Sequence, residues 1–396
     1  AGMKEMAREL SLAAKYIRIL DEVKNTLIDP ELSYAARIKE GIKQSSYELF
    51  HMKHSFDYLH ESEKHSFTLL GYEDMELSTQ ILIKDAIKRG IGIEIVDRDE
   101  NFIALSDGKK IEYVKQATKT SLDSYSTVLV MENKLVTKKI LRNAGIRVPN
   151  GGAYQSLEEA VMDYEKYKAE KIVIKPKSTN FGLGITIFKD SFSKEDYEKA
   201  LGMAFLHDRT VLVEEFLSGK EYRFLVMGDE VTGILHRVPA NVKGDGQSSI
   251  AELVTAKNKD PLRGKGYKTP LEKIQLGESE ALFLKGQGKD FDYIPAEGEM
   301  VYLRENSNIS TGGDSLDFTD AISGSYKELA IQAAKAAGAT ICGVDMMIDD
   351  PTANVSEQNY GIIELNFNPA IHIHCYPYKG DNRRAGERIL QLLFGK

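Results

Sequence analysis

Asp345 stands inside the apolar run Gly343-Val344-Asp345-Met346-Met347-Ile348, and Glu364 follows a second apolar stretch in Gly361-Ile362-Ile363-Glu364-Leu365-Asn366-Phe367-Asn368-Pro369. A carboxylate in such surroundings is costly unless it is paired, hydrogen-bonded or bound to a metal. Glu364 and Asn366 are two apart, so on an extended strand both side chains leave the same face. There they can share one hard cation with Asp345 from a neighbouring strand. An oxygen-only ligand set favours Mg²⁺, and with it phosphate chemistry. The plainer alternative, acids at strand ends facing water, is the commoner fate of a single Asp or Glu. The spacing of these three side chains weighs against it.

A second group of residues suits an anionic phosphate. Lys175 closes the strand-like run Ile172-Val173-Ile174-Lys175-Pro176, and Ser178-Thr179-Asn180-Phe181-Gly182-Leu183-Gly184 follows as a glycine-bearing turn. Gly182 and Gly184 would let backbone N–H groups approach phosphate oxygens without a Cβ in the way, while Lys175 supplies a point charge. The loop matches neither the P-loop nor the dinucleotide fingerprint, and a tight turn is the bland alternative. Farther on, Glu214-Glu215-Phe216-Leu217-Ser218-Gly219-Lys220-Glu221 joins two β-rich runs. It offers main-chain groups to a base edge and Glu221 to ribose hydroxyls; the alternative is a surface hairpin.

Arg223, Arg237 and Arg304 each lie in or beside a strand-like run, where a guanidinium fork suits carboxylate or phosphoryl oxygens. Arg304 leads into Glu305-Asn306-Ser307-Asn308-Ile309-Ser310-Thr311-Gly312-Gly313-Asp314, a loop of small polar residues read as a holder of an anionic carboxylate or acyl phosphate. Asn308, Ser310, Thr311, Gly312 and Gly313 are its candidate contacts. His372, His374 and Cys375 form a His-x-His-Cys cluster, but no second cluster completes a zinc ligand set. A substrate-facing loop is the preferred reading and a buried imidazole the alternative.

These residues need a scaffold of strands and helices, and the chain is long enough for one. Its 396 residues predict two or three lobes. A net charge of −8 argues against a general nucleic-acid or membrane-surface binder. Two cysteines, Cys342 and Cys375, make no disulfide framework, and the chain is read as cytoplasmic. No apolar run approaches the ~18 residues of a spanning helix. Residues 3 to 65 carry helical spacing, and the opening Ala-Gly-Met directly before it is read as the start of a fragment. From Thr68 an α/β lobe begins, with a helix stopped by Gly90 and a strand at Ile91–Val96. A helix from Lys134 to Asn143 leads to a lobe boundary at Val148-Pro149, after which strands and helices alternate. Residues 240–300, poor in apolar runs, read as an insertion or lid.

Taken in order, two lysines, a glycine loop, an acidic connector, an arginine and then Asp…Glu-x-Asn resemble the ATP-grasp superfamily of carboxylate-amine ligases, over about residues 70 to 396. The resemblance implies an α/β (α+β) ATP-grasp fold: a helical segment 1–67, then lobes at 68–147, 148–215 (the lid) and 216–396. It implies that Lys134 and Lys175 bind nucleotide, that Glu214, Phe216 and Leu217 form the adenine connector, and that Glu221 binds ribose. It implies further that Asp345, Glu364 and Asn366 hold Mg²⁺, with Mn²⁺ as the alternative metal, and that ATP is the nucleotide.

The blocks Arg237-Val238-Pro239-Ala240-Asn241 and Asn308-Ile309-Ser310-Thr311-Gly312-Gly313 are narrower, resembling cyanophycin synthetases and the glutathione synthetase part of bacterial bifunctional enzymes. Pro30-Glu31-Leu32-Ser33-Tyr34-Ala35-Ala36-Arg37 resembles the tail of a fused glutamate-cysteine ligase domain and favours the second. Implied with it are ATP-dependent joining of γ-glutamylcysteine to glycine through an acyl phosphate, with Arg304, Arg237 and Lys175 catalytic and Arg223 on substrate, a fused N-terminal domain and a homodimer. A cyanophycin-type ligase and a catalytically silent ATP-binding module are the alternatives. One departure stands out: many relatives carry Asn-x-x-Pro-Gly where this chain has Ala370, which restricts the backbone after the second acidic strand.

Overall fold

A computed structural model describes residues 67–69, 71–177 and 184–395. The helical segment expected at 1–67 and the loop containing Gly182 lie outside the described residues, apart from Phe67 itself.

The first helix among the described residues, Leu77–Lys88, is buried along most of its length and ends before Gly90, whose φ of +70° turns the chain. Strands β1 (Gly92–Asp97), β2 (Phe102–Ser106) and β3 (Ile111–Lys115) then form an antiparallel meander. Ile81, Leu82 and Ile83 of the helix pack with Ile389, Leu390 and Leu393 of the last helix, Ala385–Phe394. The helices Tyr125–Glu132 and Lys134–Asn143 pack elsewhere: Met131 and Leu141 enter the core beneath the large sheet. Asn133 joins these two helices and accepts from the Leu135 and Val136 amides, which places Lys134 at the first helical position.

The next sheet is antiparallel, in the order β4-β7-β5-β6, built from β4 (Gly151–Tyr154), β5 (Ile172–Pro176), β6 (Thr186–Phe188) and β7 (Val211–Glu215). Ile172, Ile174, Val211 and Val213 point into a core closed by the Lys194–Phe205 helix through Tyr197 and Leu201. By the period of two, Lys175 and Glu214 must leave the opposite face.

The large sheet has the order β14-β9-β8-β15-β16, all neighbours antiparallel. Its strands are β8 (Lys220–Met227), β9 (Glu230–Val238), β14 (Asp314–Asp317), β15 (Ile341–Ile348) and β16 (Tyr360–Asn366). Between β9 and β14, residues 240–303 hold the short strands β10 (Asn241–Lys243), β11 (Arg263–Gly264), β12 (Leu271–Glu272) and β13 (Met300–Tyr302). This stretch has its own small core, including Val242, Ile250, Leu284 and Leu303. In the large sheet Tyr222, Phe224, Val226, Cys342, Val344 and Met346 face the core that holds the Gly324–Ala336 helix. The alternate residues, Arg223 and Asp345 among them, are left on the other face, above which the β4–β7 lobe sits.

Candidate active site

Register builds the site. Arg223, Asp345 and Glu364 are direct partners across β8, β15 and β16, so their side chains share one face. Asn366, two residues past Glu364 and opposite Gly343, joins them. Asp345 is almost fully buried. Arg223 Nε donates to its Oδ1 at 2.6 Å and an Arg223 terminal nitrogen to its Oδ2 at 2.5 Å. Arg237 donates to Oδ2 at 3.1 Å and the Asn366 amide at 3.3 Å. Burial alone would raise the Asp345 carboxyl, but the two guanidinium groups outweigh it and hold it at about 2.

Glu221 lies one rung away on β8, paired with Arg237 and accepting from Ser307 Oγ at 2.5 Å. His236 takes up the Glu221 backbone oxygen with Nδ1 at 3.0 Å; burial lowers its pKa to about 4. On the facing wall Lys134 lies 3.4 Å from Glu364. Lys175 lies 2.9 Å from the buried Glu214 carboxylate, which also pairs with Lys138. Burial works against ionised Glu214, and Lys175 and Lys138 more than offset it, so its pKa is lowered. Lys138 is itself pushed down to about 8 by burial and by Lys175 beside it, in spite of Glu214.

These walls enclose a cleft of about 1290 Å³, large for a single small ligand and suited to a nucleotide with a second substrate. Lys134, Lys175, Phe216, Leu217, Glu221, Arg223, Arg237, Arg304, Asn308, Ser310, Asp345, Glu364 and Asn366 all line it. Gly219, with φ of +99°, lets the β7–β8 connection pass against the Ile348 carbonyl, where a Cβ would meet oxygen at 2.4 Å. That close approach brings Phe216 and Leu217 to the cleft edge.

Several expected contacts fall differently. Thr311, Gly312 and Gly313 do not line the cleft. Thr311 Oγ1 bonds within its own turn to Asn306 and Asn308, Gly312 packs on Ile274, and a Cβ at Gly313 would strike the Asn308 and Val238 carbonyls at 2.8 Å. The glycines there serve close packing of backbone. The Glu214 side chain holds two lysines, leaving only its main chain for a base edge. The Arg223 fork is closed on Asp345, and Arg304 donates through Nε to Glu280 at 2.6 Å. Gly184, with φ of +71°, packs against Pro176 and His207. His372 and His374 are buried in the short helix His372–Cys375: His372 Nδ1 meets Ser78 Oγ at 2.9 Å, and among the described residues both ring nitrogens of His374 lack a partner. Lys138 escaped sequence reading, although its place one helical turn after Lys134 was the available signal.

A family model described as a RimK-like ATP-grasp domain matches residues 131–252, and another described as an ATP-grasp-like domain matches 73–126. The chain has the ATP-grasp fold. Similarity of this ATP-grasp chain to individual proteins is far longer than either model. It is 63% identical over 377 residues to the glutathione biosynthesis bifunctional protein GshAB of Clostridium perfringens, a match covering 95% of this chain and 48% of that protein. The GshAB protein of Desulfotalea psychrophila is 55% identical over 352 residues, covering 89% and 45%. A bifunctional glutathione synthetase from Pasteurella multocida has a crystal structure that superposes with a TM-score of 0.69 at 44% identity, covering 96% of this chain and 55% of that one. The chain spans about half the length of the curated relatives it matches. Among the described residues, no helix of this ATP-grasp chain is long and apolar enough to cross a membrane.

Proposed function

We propose that this chain joins γ-glutamylcysteine to glycine at the expense of ATP, giving glutathione, ADP and phosphate through an acyl phosphate. The observation that carries the reading is the in-register row Arg223, Asp345, Glu364 on the cleft face, opposite Lys134 and Lys175. The names of the relatives point to the substrate pair.

The donor set fits a hard cation. Asp345 and Glu364 are opposed carboxylates on one face, Asp345 is held ionised, and Asn366 adds an amide. Here the Asn366 amide donates to Asp345, so its oxygen reaches a shared cation only when the amide is turned over. Asp345, Glu364 and Asn366 would hold Mg²⁺ or Mn²⁺, which when bound neutralises phosphate charge and polarises the γ-phosphoryl group.

Lys175 is ion-paired with Glu214 at 2.9 Å, and its ammonium protons can turn to phosphate oxygens; Lys134 stands beside Glu364 for the same purpose. A carboxylate oxygen of the cysteinyl end attacks the γ-phosphorus and ADP departs. The glycine amine then adds to the acyl carbon, loses its proton, and phosphate leaves carrying the former carboxylate oxygen. Arg304, fixed through Nε to Glu280, and the Asn308–Ser310 turn meet the oxyanion of the tetrahedral intermediate. Arg237 and Arg223 keep Asp345 ionised and fixed throughout. Closure of the β4–β7 lobe excludes water, with which glycine competes for the acyl phosphate.

The test is magnesium-dependent ADP release with ATP, γ-glutamylcysteine and glycine, each omitted in turn, with aspartyl peptides as the competing acceptors. Release that requires both named substrates and yields glutathione supports the reading. Release with aspartyl primers alone moves the chain to the cyanophycin-type alternative, and ATP binding without turnover to the silent one.

A further inference from the structure

The N-terminal meander and its end hold three residues in the left-handed region that are not glycine, Asn101 (φ 55°), Gln116 (φ 52°) and Ala117 (φ 65°), and of these Gln116 lines the cleft. Non-glycine residues rarely adopt this conformation, and two in succession persist only where the surroundings impose them, commonly at ligand sites. Two of them, Asn101 and Gln116, bond to Glu76. The Asn101 side-chain oxygen accepts from the Glu76 amide at 2.6 Å, and the Asn101 carbonyl accepts from the Gln116 amide at 3.1 Å.

The Gln116 side chain has one defined orientation. Lys119 Nζ donates to its Oε1 at 2.6 Å, and a lysine has no acceptor, so the amide oxygen must face Lys119. Nε2 therefore faces Glu76 and donates to Oε1 at 2.8 Å. Asn368, two residues beyond Asn366, donates to the same Gln116 oxygen at 3.3 Å. Glu76, Gln116 and Asn368 all line the cleft. Among the described residues, no Lys, Arg or His nitrogen lies within 4.0 Å of the cleft-facing Glu76 carboxylate, and Lys119 acts on it only from behind Gln116.

We propose that Glu76 receives the primary ammonium group of the donor substrate, the α-ammonium at the γ-glutamyl end, with Gln116 and Lys119 as the residues that position it. The assignment rests on the function proposed above. Chemistry separates this ammonium from that of glycine. An ion-paired amine is held protonated and cannot attack, which suits a group that only binds and would obstruct the amine that must react.

The test compares γ-glutamylcysteine with glutarylcysteine, which lacks only the α-amino group, in the wild type, Glu76→Gln and Lys119→Met. In the wild type kcat/KM should favour the amino compound by about 10- to 100-fold, the range of a charge-assisted hydrogen bond. Glu76→Gln should bring that ratio close to one through KM of the donor, leaving the KM values for ATP and glycine unchanged. Lys119→Met should lower the ratio by a smaller factor, because the Gln116 amide is then free to turn over. A ratio unchanged by Glu76→Gln, or a Glu76→Gln effect confined to glycine, overturns the proposal while leaving the ligase reading intact. Absence of ADP release by the wild type with either donor overturns the ligase reading, and this assignment with it.

Discussion

Arg223 and Asp345 are in-register partners on adjacent strands, and both oxygens of the buried carboxylate are taken by the one guanidinium fork at 2.5 and 2.6 Å. Arg237 adds a third bond from the next strand. Removing one member of such a cluster leaves the others buried without a partner, which costs more than the pair contributes net. Asp345→Asn should therefore lower unfolding stability by about 3 kcal/mol and cut ligation by at least about 100-fold. Denaturant midpoints and ADP release measure the two effects. The sign with pH follows from a carboxyl held at about 2 against an ordinary 3.8: its contribution is complete above pH 3.8 and is lost as pH falls toward 2.

Lys138 ties the Lys134–Asn143 helix to strand β7 through Glu214, and so holds the carboxylate that also fixes Lys175. With its pKa at about 8 against an ordinary 10.5, it loses its charge as pH passes 8. KM for ATP should rise above pH 8 in the wild type and stay level in Lys138→Arg, whose guanidinium remains charged. For stability, a lysine depressed in the folded state works the other way: its penalty, full below pH 8, fades toward pH 10.5. A wild-type KM that is flat from pH 7 to 9.5 would remove Lys138 from this role.

Gly219→Ala places a Cβ against the Ile348 carbonyl at a residue with φ of +99°. The expected cost is about 1–3 kcal/mol of stability, with a higher KM for ATP because Phe216 and Leu217 are displaced from the cleft edge. Thermal unfolding and nucleotide titration of the variant check both.

His372 and His374 are buried, and burial depresses them to about 4 and about 3 from an ordinary 6.5. Below pH 6.5 the unfolded chain takes up protons that the folded chain refuses, so stability falls as pH drops through 6.5 toward 4. Each histidine contributes a slope of up to about 1.4 kcal/mol per pH unit. His374→Leu should remove one proton's worth of that slope; a variant whose slope equals that of the wild type contradicts the assignment.

The shared face of Asp345, Glu364 and Asn366 was legible because strand periodicity is local and the apolar runs on either side left no other place for the charges. Lys175 and Arg237 were legible for the same reason. What each cation faces was not, since strand partners come from sequence positions more than a hundred residues apart, as with Arg223 and Asp345. The loop at Thr311–Gly313 misled because small polar residues serve a tight turn as well as a ligand. Glu76 and Gln116 carried no signal at all: a left-handed glutamine is visible only in the fold. The Lys134–Asn143 helix read as part of the first lobe, and only tertiary packing carries its Leu141 into the core beneath the large sheet.

The acyl phosphate is the centre of the account, and isotope transfer tests it most directly. γ-Glutamylcysteine labelled with ¹⁸O in its cysteinyl carboxylate is turned over with ATP and glycine, and the released phosphate is weighed by mass spectrometry. One labelled oxygen in each phosphate is the predicted result, since the attacking oxygen leaves with it. Phosphate free of label, formed while glutathione accumulates, would contradict the mechanism proposed for this cleft.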